Sequence, residues 1–159
     1  MTNLMRRQDR KLTDEESTEI LRKGDYGILS MCTANNGAYG IPLNYILVNN
    51  EIYFHGATEG SKLDFLLNNN KVSFCVVGNT EILPAKFATI YESVIVFGNA
   101  FEVDGEEKRA GLMHLIEKYS AGYIHEGEEY IEKYYSKVKV IKLSIESFSG
   151  KARKREIAL

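Results

Sequence analysis

The sequence predicts a mostly β protein, built as an antiparallel barrel with peripheral helices. Apolar runs rich in β-branched residues outnumber the helical patterns, and tight turn signals separate neighbouring runs. The helical segments interrupt the strands instead of alternating with them, whereas regular alternation would favour a doubly wound parallel sheet. Together these observations predict an all-antiparallel arrangement.

The first predicted element is a helix. Thr13 and Glu16 have the spacing of a capping box, in which each residue satisfies a free amide of the other at the helix start. Ile20 and Leu21 are its expected core contacts, and Gly24 is expected to end it.

The rest of the first half predicts a strand meander with one helix inserted. Predicted strands cover residues 26–33, 39–48, 51–56 and 71–77. Asn36-Gly37 and Asn49-Asn50 are turn signals for hairpins, and Pro42 favours an edge position or a bulge. The inserted helix covers about 60–67. It should present one apolar face, formed by Leu63, Leu66 and Leu67.

The second half contains one long strand, two helical segments and a final strand. Residues 79–87, which include Pro84, are expected to cross from one sheet edge to another. The remaining predicted elements are a strand over 88–103 with a bend or bulge at Gly98, helices over 106–119 and 123–135, and a half-buried strand over 138–148.

Length and composition favour one domain over residues 1–159, with 44% hydrophobic and 26% charged residues. No apolar run approaches the roughly 20 residues of a membrane span, and the N-terminus is polar, so we expect a cytoplasmic protein without a membrane partner. Cys32 and Cys75 lie in apolar strand patterns and lack metal-site spacing, so we expect buried free thiols, no disulfide and no metal.

Charge is distributed unevenly along the chain. Residues 1–11 and 150–159 each carry a net charge of +3, so the remainder carries −8 of the total of −2. An acidic body argues against a nucleic-acid partner. The two basic segments are either solvated tails or sources of positive potential near a bound phosphate.

The start of the helix near residue 60 could bind an anion. The first amides of a helix lack partners within it, and the helix dipole adds partial positive charge there. Ser61 supplies a hydroxyl and Lys62 an ammonium beside those amides. The alternative is that Ser61 is only an N-cap and Lys62 a solvated side chain.

Several motifs in order resemble the split-barrel flavin-binding proteins, the superfamily that includes pyridoxamine 5'-phosphate oxidase. They are PLNY (42–45), IYFHGA (52–57) and GSKLDFL (60–66), followed by YESV (91–94) and SGK (149–151). The likeness spans about residues 5–155 and is nearest to the branch of nitroimidazole-resistance proteins. It implies an antiparallel split β-barrel that binds flavin mononucleotide (FMN), with two subunits of a homodimer sharing two cofactor sites.

The resemblance also implies the site residues. Ser61 and Lys62 match the phosphate-binding positions, and Ser93 matches a further cofactor contact. The strand whose backbone borders the flavin ring corresponds to Pro42, Leu43, Asn44 and Tyr45. His55, Gly56 and Ala57 match the strand end beside the ring and the ribityl chain, where small residues let a planar ring approach the backbone.

The implied activity is FMN-dependent oxidation or reduction of a small molecule, with nitroaromatic reduction as the specific expectation. His55 is the candidate for proton transfer, because its ordinary pKa is near neutrality; the alternative is a histidine hydrogen-bonded at a strand end. Two other functions stay open: a haem protein with His55, His114 or His125 as axial ligand, and a flavin-binding sensor without turnover. The additional arginines that bind substrate phosphate in pyridoxamine oxidases cannot be placed, so vitamin B6 oxidation is not expected.

Overall fold

The computed structural model of the chain describes residues 5–33, 35, 37–58 and 60–155. Short 3-10 turns join several of the longer elements. Within those ranges the helices are α1 (Asp14–Lys23), α2 (Ser61–Asn68), α3 (Gly105–Tyr119) and α4 (Ile124–Tyr134). The strands are β1 (Tyr26–Cys32), β2 (Ala38–Asn44), β3 (Ile46–Val48), β4 (Glu51–Ala57), β5 (Lys71–Leu83), β6 (Ala88–Val103) and β7 (Val138–Arg153).

All seven strands form one antiparallel sheet in the order β2-β1-β5-β6-β7-β4-β3. The hydrogen-bonded ladder ends at β2 on one side and β3 on the other, so the barrel is open. The sheet nevertheless curves enough to bring β2 into contact with β4. The prediction of a mostly β split barrel with peripheral helices is confirmed.

Helix α1 forms as its sequence predicts. The Thr13 hydroxyl accepts from the Glu16 amide at 3.2 Å, and the Glu16 carboxylate accepts from the Thr13 amide at 2.9 Å. Ile20 and Leu21 are buried, and the Gly24 amide donates to the Ile20 carbonyl as the helix ends.

The predicted strand over 39–48 is wrong in one respect, because it divides into β2 and β3 at Tyr45. The Tyr45 side chain is fully buried, and its hydroxyl donates to the Leu21 carbonyl at 2.5 Å. That carbonyl belongs to the last turn of α1 and lacks a partner within the helix. The break in the strand therefore coincides with the residue that is bonded to α1. Pro42 lies on β2, an edge strand, as predicted.

The two predicted hairpin turns differ in how far they can be followed. Asn49 and Asn50 join β3 to β4, as predicted, with Asn49 at a φ of 55°. Asn36 lies outside the described residues, although Cys32 and Ala38 on either side of that turn are paired.

The prediction that residues 79–87 cross between sheet edges is wrong. Strand β5 continues to Leu83, a 3-10 turn at Pro84–Lys86 reverses the chain, and β6 begins at Ala88. Pro84 terminates a strand here instead of leading to another edge. A register shift between β6 and β7 does occur at Gly98, but the extra residue is Glu146 on β7, because Phe97 pairs with Ser147 and Gly98 with Ile145. The predicted irregularity at Gly98 is therefore present as a bulge of the opposite strand.

Strand β7 is longer than predicted because residues 149–153 pair with residues 91–95 of β6. Residues 150–153 are therefore part of the sheet, and the expectation of a solvated tail is wrong for them. Lys11 also pairs with Lys151 as an isolated β-bridge, so the basic segments meet.

Two burial predictions need correction. Leu67 is 86% exposed, so the apolar face of α2 is narrower than predicted and centres on Leu66. Cys32 is exposed because it occupies an outward position in the alternating pattern of β1, whereas Cys75 is half-buried. Both thiols are free.

The core has two parts on opposite sides of β4. Phe54 packs with Phe74 and Tyr45 in the main core inside the curved sheet. Tyr53 packs with Leu112 of α3 and other apolar side chains in a second cluster. Both faces of β4 are therefore covered at residues 52–54, whereas His55 and Ala57 at the end of the strand are exposed. Among the described helices, none is long and apolar enough to cross a lipid bilayer.

Candidate functional site

The end of β4 and the start of α2 lie together. Gly60 precedes α2 with a φ of 130°, a conformation that L side chains rarely adopt, and its carbonyl accepts from the Leu63 amide at 3.2 Å. From the first turn of α2, the Lys62 side chain extends back over Gly56. A Cβ at position 56 would overlap the Lys62 ammonium and lie 2.8 Å from its Cε. Glycine at 56 therefore makes room for this cation.

Lys62 is half-buried and has no carboxylate partner among the described residues. Burial lowers the pKa of its ammonium below the ordinary value. A cation held at a helix start, partly removed from water and lacking an ion pair, is suited to bind an anion.

His55 precedes Gly56 on β4 and pairs across the sheet with Val140. Desolvation by the surrounding protein lowers the pKa of its imidazole, and the positive charge of Lys62 lowers it further. The ring is nevertheless accessible in this single chain. His55 is therefore neutral near pH 7 and reachable by a small molecule.

The PLNY stretch runs along the open edge of the sheet. Pro42 is exposed and Leu43 half-buried, and one row of β2 peptide groups lacks a neighbouring strand in the ladder. The rings of Tyr39 and Phe65 meet edge to face, with centroids 5.3 Å apart, and hold β2 against α2. The structure thus brings β2, the end of β4 and the start of α2 together.

Asn44 and Tyr45 are engaged by other parts of the protein. The side-chain amide of Asn44 donates to the backbone carbonyl of Asp25 at 2.9 Å. The Tyr45 amide donates to the Tyr119 hydroxyl at 2.9 Å, and the Tyr45 carbonyl accepts from Tyr119 at 2.8 Å and Lys118 at 3.0 Å. In the single chain these two residues fix the end of β2.

Sequence reasoning did not find Lys118 and Tyr119. They lie 73 and 74 positions from Tyr45, beyond any local pattern. Their one signal was a polar pair, Lys-Tyr, at the end of a helix. Burial lowers the pKa of Lys118, whose ammonium lies 4.1 Å from the centre of the Tyr45 ring.

The other predicted residues are placed unequally. Ala57 is exposed at the end of β4, and the Ser61 side chain lies outside the described part of the structure. Ser93 pairs with Lys151 on β7, eleven positions from Val140, the partner of His55. At about 3.3 Å per residue, that separation is roughly 36 Å along the strand. One chain therefore does not bring Ser93 to the Lys62 site.

The two other histidines, unlike His55, lie on helices. His114 on α3 contacts Glu117 at 2.9 Å, and His125 on α4 lies 3.6 Å from Glu129. Both contacts are local to one helix face, as is common for solvated side chains.

The site residues fit a flavin phosphate and ring better than they fit a metal. The described residues contain no group of three or more His, Cys, Asp or Glu side chains that could hold a metal ion. They do offer an ammonium at a helix start that is unpaired among these residues, a glycine, Gly56, that makes room for this ammonium, and an open strand edge. A dianionic phosphate matches the first two features and a flat ring matches the strand edge.

Comparisons with known proteins agree on the fold. The chain is 20% identical to a candidate 5-nitroimidazole antibiotic resistance protein of Bacteroides thetaiotaomicron, covering 89% of this chain and 86% of that one, with a TM-score of 0.71. A FAD and haem binding protein of Mycobacterium smegmatis gives 17% identity, 92% and 74% coverage and a TM-score of 0.80. A FAD-binding protein of Mesorhizobium loti is 20% identical, with 91% of this chain and 98% of that one covered, and gives a TM-score of 0.66.

At these identities the likeness establishes the fold alone. A search of curated protein sequences finds no match to this chain. The family model described as pyridoxamine 5'-phosphate oxidase matches residues 13–152, which is most of the chain and includes β2, β4 and α2. The protein therefore belongs to the pyridoxamine 5'-phosphate oxidase family.

Proposed function

We propose that the protein is an FMN-dependent oxidoreductase that acts on small molecules, with nitroaromatic compounds such as nitroimidazoles as its substrate class. The observation that carries the proposal is the half-buried Lys62 ammonium, lying against Gly56 at the start of α2 without a carboxylate partner among the described residues. Family membership supports a flavin, and the motif resemblance to nitroimidazole-resistance proteins supports the substrate class.

In this proposal Lys62 and the first amides of α2 bind the phosphate, and the β2 edge with residues 55–57 borders the ring and ribityl chain. The phosphate favours FMN or the same portion of FAD, and the two are told apart by the flavin released on denaturation. When bound, the flavin supplies the redox chemistry, and the protein chiefly positions it and excludes water.

His55 holds or moves a proton at its imidazole. Because desolvation and Lys62 lower its pKa, the ring is neutral at pH 7 and can accept a proton from a bound donor or from water. Binding of an anionic phosphate at Lys62 would offset part of the repulsion from that ammonium. The bound flavin would thereby make His55 more basic than it is in the empty protein.

We further propose that the protein works as a homodimer whose sites use both subunits. Outward positions of β5 and β6 form an exposed apolar surface, in which Val77 is 57%, Ile95 40% and Phe97 49% exposed. Ser93 lies on the same face of β6, two residues from Ile95. A second copy packed on this face would bring Ser93 to a site that one chain leaves incomplete. Free Cys32 and Cys75 are compatible with a reducing cytoplasm.

The test begins with an absorbance spectrum of purified protein. We expect flavin bands, release of FMN on denaturation, and reduction of a nitroimidazole when an electron donor is added. A Soret band without flavin would favour the haem alternative, with a histidine as ligand. Bound flavin without turnover of any nitroaromatic compound would instead favour a flavin-binding sensor.

A further inference from the structure

The two basic segments of the sequence come together into one surface. The Leu12 amide donates to the Gly150 carbonyl at 3.0 Å, and Lys11 pairs with Lys151 across an isolated antiparallel bridge. A 3-10 turn at Gln8–Arg10 adds another cation beside them. We define the basic surface as Arg10, Lys11, Lys151 and Arg153.

Nearby acids do not neutralise this surface. Asp9 pairs with Arg7, and Glu16 pairs with Lys154. None of the four cations of the basic surface makes an ion pair among the described residues, and Arg10, Lys151 and Arg153 are half-buried. Lys11 opposite Lys151 is a like-charge cross-strand pair, which destabilises a sheet. A bound anion would relieve this repulsion.

Tyr91 lies within the same surface. It is opposite Arg153 in the β6–β7 register, two residues along β6 from Ser93, the partner of Lys151. Burial by itself would raise the pKa of Tyr91, but its interactions with the positive charges of Arg10 and Lys151 outweigh burial, and the pKa lies below its ordinary value. The lowered pKa of the Tyr91 hydroxyl therefore reflects the positive charge of the basic surface.

A groove of about 480 Å³ adjoins these residues. Arg10, Lys11 and Arg153 line it, together with two ion pairs, Arg7 with Asp9 and Lys154 with Glu16. Lys151 lies beside the groove, across the β-bridge from Lys11. This volume suits a compact group of a few phosphates rather than a long chain. The body of the protein carries −8 outside residues 1–11 and 150–159, which would repel an extended polyanion such as a nucleic acid.

We propose that the basic surface is a binding site for a diphosphate group, either free or as part of a nucleotide. The site is separate from the Lys62 site within one chain, because Lys151 and Val140 are eleven positions apart on β7. Lys151 lies opposite Ser93, on the face that a second copy of the chain is proposed to cover, so the Lys62→Ala control below decides whether the two sites are also separate in the dimer. Arg10 and Lys151 bind the anion by charge-assisted hydrogen bonds, and Arg153 and Lys11 complete the positive field.

The test uses inorganic pyrophosphate and the full chain, with Tyr91 as a local reporter. Because Tyr91 has a lowered pKa while burial raises those of Tyr45, Tyr53 and Tyr119, it should ionise before them on alkaline titration. The difference between the titrations of the wild type and of Tyr91→Phe gives the tyrosinate absorbance of Tyr91 itself. Pyrophosphate should move it to higher pH, since a nearby anion disfavours the phenolate.

Calorimetry then measures affinity. Arg10→Ala and Lys151→Ala should each weaken pyrophosphate binding about tenfold or more, whereas Lys133→Ala, which removes an exposed lysine from α4, should not. Lys62→Ala should leave the Tyr91 response unchanged, which separates this site from the flavin site. ADP binding as tightly as pyrophosphate would identify a nucleotide ligand, and much weaker ADP binding would identify free diphosphate.

Any of these results would overturn the proposal: a Tyr91 titration indifferent to pyrophosphate, equal losses in Arg10→Ala and Lys133→Ala, or adenosine that binds as tightly as ADP. If Arg10→Ala does not fold, Lys151→Gln gives the same comparison, because it keeps the length of the side chain and removes the charge. A wild-type protein that binds no pyrophosphate at low ionic strength would also exclude the site.

Discussion

Substitution of Lys62 by alanine is the sharpest test of the flavin proposal. The ammonium is half-buried against Gly56 and lacks a carboxylate partner among the described residues, so a phosphate meets no competing ion pair. Removing one charge-assisted hydrogen bond costs about 1.5–3 kcal/mol of binding free energy. At about 1.4 kcal/mol per decade, Lys62→Ala should weaken FMN binding about 10- to 100-fold.

Riboflavin provides the internal control, because it lacks the phosphate. Its affinity should change little in Lys62→Ala, and Lys71→Ala, which removes an exposed lysine at the start of β5, should affect neither ligand. Titration of flavin fluorescence on the three proteins supplies the six dissociation constants. Equal losses for FMN and riboflavin, or no loss for either, would refute the assignment of Lys62 to the phosphate.

The same substitution should leave folding of the empty protein intact. Burial lowers the pKa of Lys62, so the charged form is disfavoured in the folded state, and this penalty is largest below the folded pKa. Removing the ammonium should therefore leave the free energy of unfolding at neutral pH unchanged within about 0.5 kcal/mol, or raise it. It should also raise the pKa of His55, measured by NMR, since Lys62 lowers it.

Three other predictions address neighbouring features. His55→Gln should slow nitroimidazole reduction while flavin stays bound. Because the folded pKa of His55 lies below the ordinary 6.5, the free energy of unfolding of the flavin-free wild type, measured with urea, should fall as the pH drops below 6.5. The variant should lose less stability over the same pH range. Gly56→Ala should displace Lys62 and therefore weaken the binding of FMN more than that of riboflavin, whereas Gly122→Ala, with open space at its Cβ, should be neutral in the same titrations. Phe97→Asp should give a monomer by light scattering and Tyr130→Asp, on α4, should not; a Phe97→Asp dimer would contradict the proposed interface.

Local patterns predicted the elements whose signals are local. The Thr13–Glu16 capping box is set by nearby residues, and it formed as expected. The division of residues 39–48 at Tyr45 was not predictable, since Tyr45 is held by Leu21 and by residues of α3 far along the chain. The turn at Pro84 was misassigned because proline excludes a central strand but does not say where the chain goes next.

The candidate site was predictable only in part, for a related reason. The Gly60 to Lys62 motif announces a helix start and a cation, but the approach of Lys62 to Gly56 depends on the fold. The basic surface was visible as two charged segments, and only the pairing of Lys11 with Lys151 shows that they are one. Motifs identify the chemistry, and the sheet register determines which motifs share a site.

The register also separates two ways of losing flavin affinity. Lys62 acts on the phosphate alone, whereas the apolar face of β6 is proposed to bring a second chain to the ring and ribityl chain, which FMN and riboflavin share. Phe97→Asp should therefore weaken both ligands by a similar factor, and Lys62→Ala should change their ratio. If Lys62 of one chain and the second chain bind the same flavin, the Lys62→Ala/Phe97→Asp double variant should show two losses. One is the loss that FMN and riboflavin share in Phe97→Asp, and the other is the FMN-specific loss of Lys62→Ala. A Phe97→Asp monomer that binds riboflavin as tightly as the wild type would show that one chain forms the whole ring site.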